Sequence, residues 1–371
     1  MLIYLILPLI LTFTTLAAAD SRETAQKTIE RILANNEADS IAEWEELMET
    51  AAKELSESLP SIASGNSLNA ALNQLLENPG YSARQIPKER ENDWKELYIV
   101  ELNQSPTYIL KLFKTDSSLF PTEFWGQWTA SKLPLKSTSI AQVIKAGKIT
   151  VGKNCYFFSL ESYLEGTSFD GINDKQAFKR LGASLKEFHT VSTTSVSPLP
   201  KSFLAAESQL IEDGLKLLNA EDKKWVEPLA KKLQQQLHSK PLPHSYVHGD
   251  PNMANFLLQK DKIAFIDFEV SGQYINASRQ GLATPAFDLI TLLDYLDDLH
   301  TADITNSFIE GYGGIPYDKE TEIYFRLVDT LNAVKWHHGV KSNLTPPRFK
   351  QVQDTITSKL KRLKELSSTD N

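Results

Sequence analysis

Apolar residues recur three and four positions apart from Ser21 to Glu77: Ile29, Ile32 and Leu33, then Ile41, Trp44, Leu47, Met48, Ala51 and Leu55, then Leu68, Ala71, Leu72, Leu75 and Leu76. That is the period of one helix face, and the opposite faces are acidic. Asn66 or Ser67 is placed to cap the last helix and Pro79-Gly80 to end it. From Tyr81 the period moves towards two. Arg84 to Pro87, Glu96 to Leu102 and Thr107 to Phe113 read as three strands, with a hairpin turn at Asn103 to Pro106; Ile140 to Lys145 and Lys153 to Leu160 supply two more. The helical period then returns. Lys175 to His189 aligns Phe178, Leu181, Leu185 and Phe188, Val191 to Pro200 is a Ser/Thr/Pro-rich loop, and Phe203 to Gln236 is helical again. The pattern predicts an α+β chain with a helical extension, a small antiparallel-sheet lobe and a larger, mainly helical lobe.

One stretch interrupts the helical lobe. Tyr246 to Glu269 reads YVHGDPNMANFLLQKDKIAFIDFE, in which Asn255 to Leu258 and Lys262 to Ile266 flank a polar turn at Gln259 to Asp261. This is a hairpin with acid groups at its ends. Asp250, Asn255 and Asp267 then converge at one mouth. One carboxylate can orient a hydroxyl, while an amide and a carboxylate can hold magnesium, a hard ion that takes oxygen ligands.

The pattern H-G-D-x-x-x-x-N followed by I-D-F-E resembles the catalytic and metal loops of the aminoglycoside phosphotransferase and choline kinase superfamily, relatives of protein kinases. The resemblance covers roughly Tyr81 to Gly339 and implies a two-lobed protein-kinase-like fold. It also implies Asp250 as the catalytic residue, Asn255 and Asp267 as metal ligands, and ATP and magnesium as cofactors. Lys111, in Tyr-Ile-Leu-Lys-Leu-Phe, occupies the place of the phosphate-binding lysine. Glu123, opening EFWGQWTASKL, is the acid available to position it. Glu161-Ser-Tyr-Leu-Glu-Gly-Thr resembles the interlobe hinge, where Glu161 serves only as a marker of place. Pro285-Ala-Phe-Asp288-Leu resembles the segment that opens the next helix, with Asp288 bracing the catalytic loop. His248 and His189 are expected to be structural. Gly249 stands where protein kinases usually carry an arginine that pairs with a phosphorylated loop. A departure lies between the first two strands: KERENDWKE contains no glycine where kinases place a glycine-rich phosphate loop.

The charge of the 371-residue chain refines this picture only locally. Its net charge is -8, but Asp20 to Gly80 holds twelve acids and four bases, so 35 of each sign follow from Tyr81 onward. The kinase-like part is electrically balanced and has no basic patch for nucleic acid. The first 19 residues, MLIYLILPLILTFTTLAAA, resemble a secretory signal peptide with an A-x-A cleavage site. An uncleaved membrane anchor is the alternative, and it is the only route to a membrane that the sequence offers. Cys155 is the only cysteine; it lies in the apolar run CYFFSL, where a buried, inert thiol is expected.

The expected organisation is a signal peptide over 1–19, a helical extension over 20–80, a kinase-like N-lobe over 81–160 and a C-lobe over 161–371. The expected activity is ATP- and magnesium-dependent phosphoryl transfer to a small-molecule hydroxyl, with the protein secreted or periplasmic. A catalytically silent nucleotide-binding or scaffold relative is the first alternative, and a protein kinase delivered to another cell is the second. Asp294, Asp297, Asp298, Glu310 and Trp336 to His338 are candidate contacts for a cationic substrate.

Overall fold

Burial on both faces explains why the strand around Lys111 reads as an unbroken apolar run. The computed structural model describes residues 21–32, 41–87, 95–193, 195–198, 201–268, 284–340 and 346–368. Its small lobe is a sheet of β1 (Ser61–Gly65), β2 (Tyr81–Gln85), β3 (Lys95–Leu102), β4 (Ser105–Lys114), β6 (Val143–Val151) and β7 (Asn154–Ser162), in the order β1-β6-β7-β4-β3-β2. Leu110 and Leu112 of β4 face α3 (Leu68–Leu76), together with Val100, Ile149, Phe158 and Leu160. On the other face, Phe113 and Phe157 meet Phe120 and Phe124 of α4 (Leu119–Ala130). With a helix on each face the strand has no solvent side, so the apolar/polar alternation disappears.

The N-terminal extension forms helices α1 over 21–32 and α2 (Ile41–Ser58), and then α3. Ala25 and Ile29 of α1, with Ala52 and Leu55 of α2, pack against the same cluster as Phe120 and Phe124. The Ser21 hydroxyl donates to the Ala146 carbonyl at 2.6 Å and Arg22 to the Val143 carbonyl at 3.0 Å, tying α1 to the sheet. The Ser67 hydroxyl caps α3 by accepting from Ala70.

Four features depart from the expected pattern, one of them a short strand, β9 (Ser195–Pro198), paired with β10 (Pro241–His244), inside the expected Val191 to Pro200 loop. The extension is not helical throughout, because β1 pairs in parallel with β6 and makes the sheet mixed rather than wholly antiparallel. SIASG is too short and too small in its side chains to announce a strand. The strand expected at Ile140 to Lys145 is the junction of two: β5 (Thr138–Ile140) belongs to a second sheet, and β6 starts at Val143. Cys155 is exposed near the start of β7, which corrects the expected buried thiol; only the residues after it enter the core. The expected signal peptide and most of the glycine-free segment, residues 88–94, lie outside the described residues. Among the described residues no helix is long and apolar enough to cross a membrane.

The larger lobe contains α5 (Lys175–Ser192), α6 (Lys201–Leu217), α7 (Ala220–Leu237), α8 (Pro285–Leu299), α9 (Ala302–Tyr312), α10 (Lys319–Val340) and α11 (Pro346–Ser368). The pair α5 and α9 approach closely through two glycines. A methyl on Gly182 would collide with the Phe308 carbonyl, and one on Gly311 with the Lys179 carbonyl. Overpacking of this kind costs about 1–3 kcal/mol, so Gly311→Ala is expected to lower stability by that amount in denaturant titrations.

A second core feature carries a pH signature. The Glu207 carboxyl is buried and accepts from the Tyr324 hydroxyl at 2.7 Å. Burial pushes its pKa from 4.5 up to about 8, with the Tyr324 hydrogen bond pulling the other way. The folded protein therefore holds a proton that the unfolded chain releases. Its contribution is complete below pH 4.5 and is lost as pH rises through about 8. Stability should fall across that window by at most about 1.4 kcal/mol per pH unit from this group, and Glu207→Gln should flatten the slope in denaturation curves taken at several pH values.

Candidate active site

The expected hairpin forms from β11 (Phe256–Leu258) and β12 (Ile263–Phe265), with Phe256 opposite Phe265. The Ile266 amide donates to the Asn255 carbonyl at 3.0 Å, so pairing continues to the end of the hairpin and brings Asn255 beside Asp267. Parallel pairing with β5 on one side and antiparallel pairing with β8 (Thr167–Ser168) on the other complete a four-stranded sheet. Arg180 of α5 ties down the turn by donating to the Gln259 and Lys262 carbonyls at 3.1 and 3.2 Å.

The loop before the hairpin is pinned from below by one carboxylate. The Asp288 side chain, in the first turn of α8, accepts from the backbone amides of His248 at 2.5 Å and Gly249 at 2.9 Å. His189 at the end of α5 lies 3.1 Å from the same carboxylate, and its other ring nitrogen lies 2.9 Å from the Tyr312 hydroxyl. His248 is fully buried, packs on Phe268 and places Nε2 2.9 Å from the Ile266 carbonyl. Both histidines and Asp288 therefore brace the loop. Gly249 has φ +84, a conformation that side chains rarely adopt, so backbone geometry alone favours glycine there.

Above this base, the Asp250 carboxylate accepts from the side-chain amides of Asn252 at 2.9 Å and Asn255 at 3.2 Å, and its carbonyl accepts from Asn255 at 2.9 Å. The Asn255 amide nitrogen is thus turned to Asp250. Asp267 holds φ +65, uncommon for a residue with a side chain and found where surroundings impose it.

The small lobe supplies the facing charges. Lys111 projects from β4 to Glu123 of α4, with which it makes a close ion pair, and lies 3.2 Å from Glu161 of β7. The other Glu123 oxygen accepts from Lys95 at 2.9 Å, and Lys95 also reaches Asp267 at 2.9 Å. Burial opposes the Lys111 charge, but Glu123 and then Glu161 outweigh it and lift its pKa above the ordinary lysine range. Burial would likewise raise Asp267; Lys95 and then Lys111 overcome it and hold the group down at about 2. Glu161 is pushed up, mainly by burial, against the pull of Lys111. Asp250, Asn255, Asp267, Lys111 and Glu123 thus line one cleft between the lobes.

The family model described as "Phosphotransferase enzyme family" matches residues 82–323, most of the chain. The chain belongs to this family. The phosphotransferase has no match among curated protein sequences. Among solved structures, a GDP complex of aminoglycoside 2'-phosphotransferase-IIIa is 16% identical, covering 76% of this chain and 93% of that one at a TM-score of 0.52. A choline/ethanolamine kinase family protein from Mesorhizobium loti is 16% identical, covering 78% and 89% at a TM-score of 0.50. An aminoglycoside phosphotransferase bound to AMP-PNP and hygromycin B is 10% identical, covering 78% and 95% at a TM-score of 0.53. These likenesses establish the two-lobed protein-kinase-like fold of the phosphotransferase.

Two participants escaped sequence reasoning. Lys95 is hidden among the charges of KERENDWKE, and Glu161 had been only a marker of the hinge. Register reveals both. Leu97 lies opposite Lys111, and Ile109 opposite Glu161, so Lys95 and Glu161 are diagonal neighbours of Lys111 on the same face. The expected acids for a cationic substrate are occupied elsewhere. Asp294 is buried against Arg326, Lys359 and Arg362, Asp297 lies 3.4 Å from Arg326, and Asp298 lies 2.5 Å from Arg362. Glu310 pairs with Lys179 at the surface, and Trp336 to His338 lie near the end of α10.

Removing the shared carboxylate would take one partner from each of two ammonium groups, leaving buried Lys111 to Glu161 and partly buried Lys95 to Asp267. Breaking a buried pair costs up to about 3–5 kcal/mol, and with Glu161 and Asp267 still in place Glu123→Ala should lose somewhat less than that in denaturant titrations.

Proposed function

We propose that the phosphotransferase transfers phosphate from ATP, with magnesium, to the hydroxyl of a small molecule. The observation that carries this reading is the placement of Asp250, Asn255 and Asp267 at one mouth, facing the Lys111–Glu123 pair across the cleft. The donor set suits magnesium. Asn255 and Asp267 offer hard oxygen ligands, and among the described residues no group of three His, Cys, Asp or Glu side chains could hold a metal by itself. Such a two-ligand site takes its remaining ligands from phosphate and water, as magnesium does in kinases. When bound there, the ion supplies charge neutralisation to phosphate oxygens.

The protein's own residues perform the rest. Asp250 is held by two side-chain amides on one oxygen, which leaves the other to accept the acceptor's hydroxyl proton as the new oxygen–phosphorus bond forms. Lys111 offers a permanently charged ammonium to the phosphates, and Glu123 fixes its direction. Gly249 supports a small-molecule acceptor over a protein one, because the loop carries no arginine to pair with a phosphorylated segment. The related structures were solved with GDP and with AMP-PNP plus hygromycin B, which agrees with a nucleotide donor and a hydroxyl-rich acceptor.

The test is turnover of labelled ATP, with GTP in parallel, over a panel of aminoalcohols, sugars and aminoglycosides. Magnesium-dependent transfer should fall by about 10²–10⁴-fold in Asp250→Ala, which removes the general base. Asp267→Ala should abolish the response to magnesium. Failure of the protein to bind nucleotide at millimolar concentration would overturn the reading in favour of a silent scaffold. Label on proteins, with none on the panel, would reassign it as a protein kinase.

A further inference from the structure

The segment KERENDWKE, which precedes and opens β3, stands in the sequence where the resemblance to kinases implies a glycine-rich phosphate loop, and it contains no glycine. Side chains on every residue hinder the close approach of backbone to phosphate. Some other donor must meet that charge if nucleotide binds. Lys95 lies at the end of this segment as the first residue of β3. It shares a sheet face with Lys111, and its side chain is 13% exposed at the edge of the cleft.

Its partners are informative. One partner is Glu123, which already holds Lys111; another is Asp267, which belongs to the opposite lobe and is 172 residues away in sequence. The bridge thus joins the lobes through the same carboxylate proposed above as a metal ligand. Five groups meet here: three carboxylates, Glu123, Glu161 and Asp267, and two ammoniums, Lys95 and Lys111. A divalent cation arriving at Asp267 competes directly with Lys95 for that carboxylate. Once displaced, the Lys95 ammonium would keep its contact with Glu123 and be available, beside Lys111, to phosphate oxygens.

We propose that Lys95 is a second phosphate-binding lysine, which occupies Asp267 in the nucleotide-free protein and turns to the nucleotide's phosphates on binding, replacing the amides of a glycine-rich loop. This inference rests on the phosphotransferase reading above. A single carboxylate, Glu123, then aims two ammoniums at one polyphosphate. The ligand class is a nucleoside di- or triphosphate with its divalent cation. Nucleoside monophosphates, which lack the β- and γ-phosphates, gain little from Lys95.

The test compares ATP, ADP and AMP binding, each with magnesium, by calorimetry in wild type, Lys95→Met and Lys95→Arg. A hydrogen bond to a charged group corresponds to about tenfold to a hundredfold in affinity, so ATP should weaken by that factor in Lys95→Met and AMP should barely change. Lys95→Arg should recover much of the ATP affinity. Magnesium alone should bind more tightly to Lys95→Met, because its competitor at Asp267 is gone. Equal ATP affinity in wild type and Lys95→Met, with a lower Tm in the variant, would make Lys95 a structural bridge and overturn the proposal. If Lys95→Met does not fold, Lys95→Gln carries the same comparison; failure of every uncharged variant to fold would also assign the ammonium to structure. A wild-type protein that binds no nucleotide would remove the phosphotransferase reading and this inference together, whereas wild-type binding with no graded loss removes only the inference.

Discussion

The Glu123 carboxylate is the point on which both lobes converge. It is 1% exposed and carries an ammonium on each oxygen, Lys111 from one strand and Lys95 from its neighbour. Such an arrangement is poor evidence for stability. Desolvation of two or more charges can exceed their attraction, and apolar groups of the same volume often pack as well or better. What the arrangement does fix is geometry. Two cations are held at set positions on one sheet face, and α4 must sit at one depth for its carboxylate to reach both. Phe120 and Phe124 set that depth by packing on Phe113 and Phe157.

That requirement gives the N-terminal extension a physical role. The outer side of α4 would be exposed if the chain began at β2, and the helix that carries Glu123 would rest on the sheet from one side only. Instead α1 and α2 close over it, while α3 covers the opposite face of the sheet. The cation–π contact of Arg22 with Trp128, 4.9 Å from the ring centroid, adds a specific tie between the extension and the end of α4. Exposed acids such as Glu23, Glu30, Glu46 and Glu49 place the local charge excess on the outside of these helices.

How much of this was legible in the sequence depends on whether a residue's role is local or set by register. The hairpin and its three polar residues were legible because their spacing is short and the turn lies between them. Lys111 and Glu123 were legible because resemblance supplied their positions. Lys95 and Glu161 were not, because their place beside Lys111 is decided by how three strands align, and strand register has no single-sequence signature. The same limit misled the reading of Asp294, Asp297 and Asp298. A run of acids on one helix looks available until the Arg326, Lys359 and Arg362 side chains of two later helices are seen to occupy it. The parallel strand β1 was invisible for a plainer reason: five small or polar residues bear no period.

The pairing of β1 with β6 sets an order of events during synthesis. The Ser21 hydroxyl and its acceptor, Ala146, are 125 residues apart, so at about 5–20 residues per second the extension waits on the order of ten seconds for its partner. Until then α1 and α2 lack β6, whereas α3 can already meet Val100, Leu110 and Leu112. The extension does possess a small cluster of its own, Ile32, Met48 and Ala51. Joining α1 to α2 early, this cluster would hide part of the waiting surface, and the layer over the Glu123 helix is tied to the sheet only after Ala146 has been made.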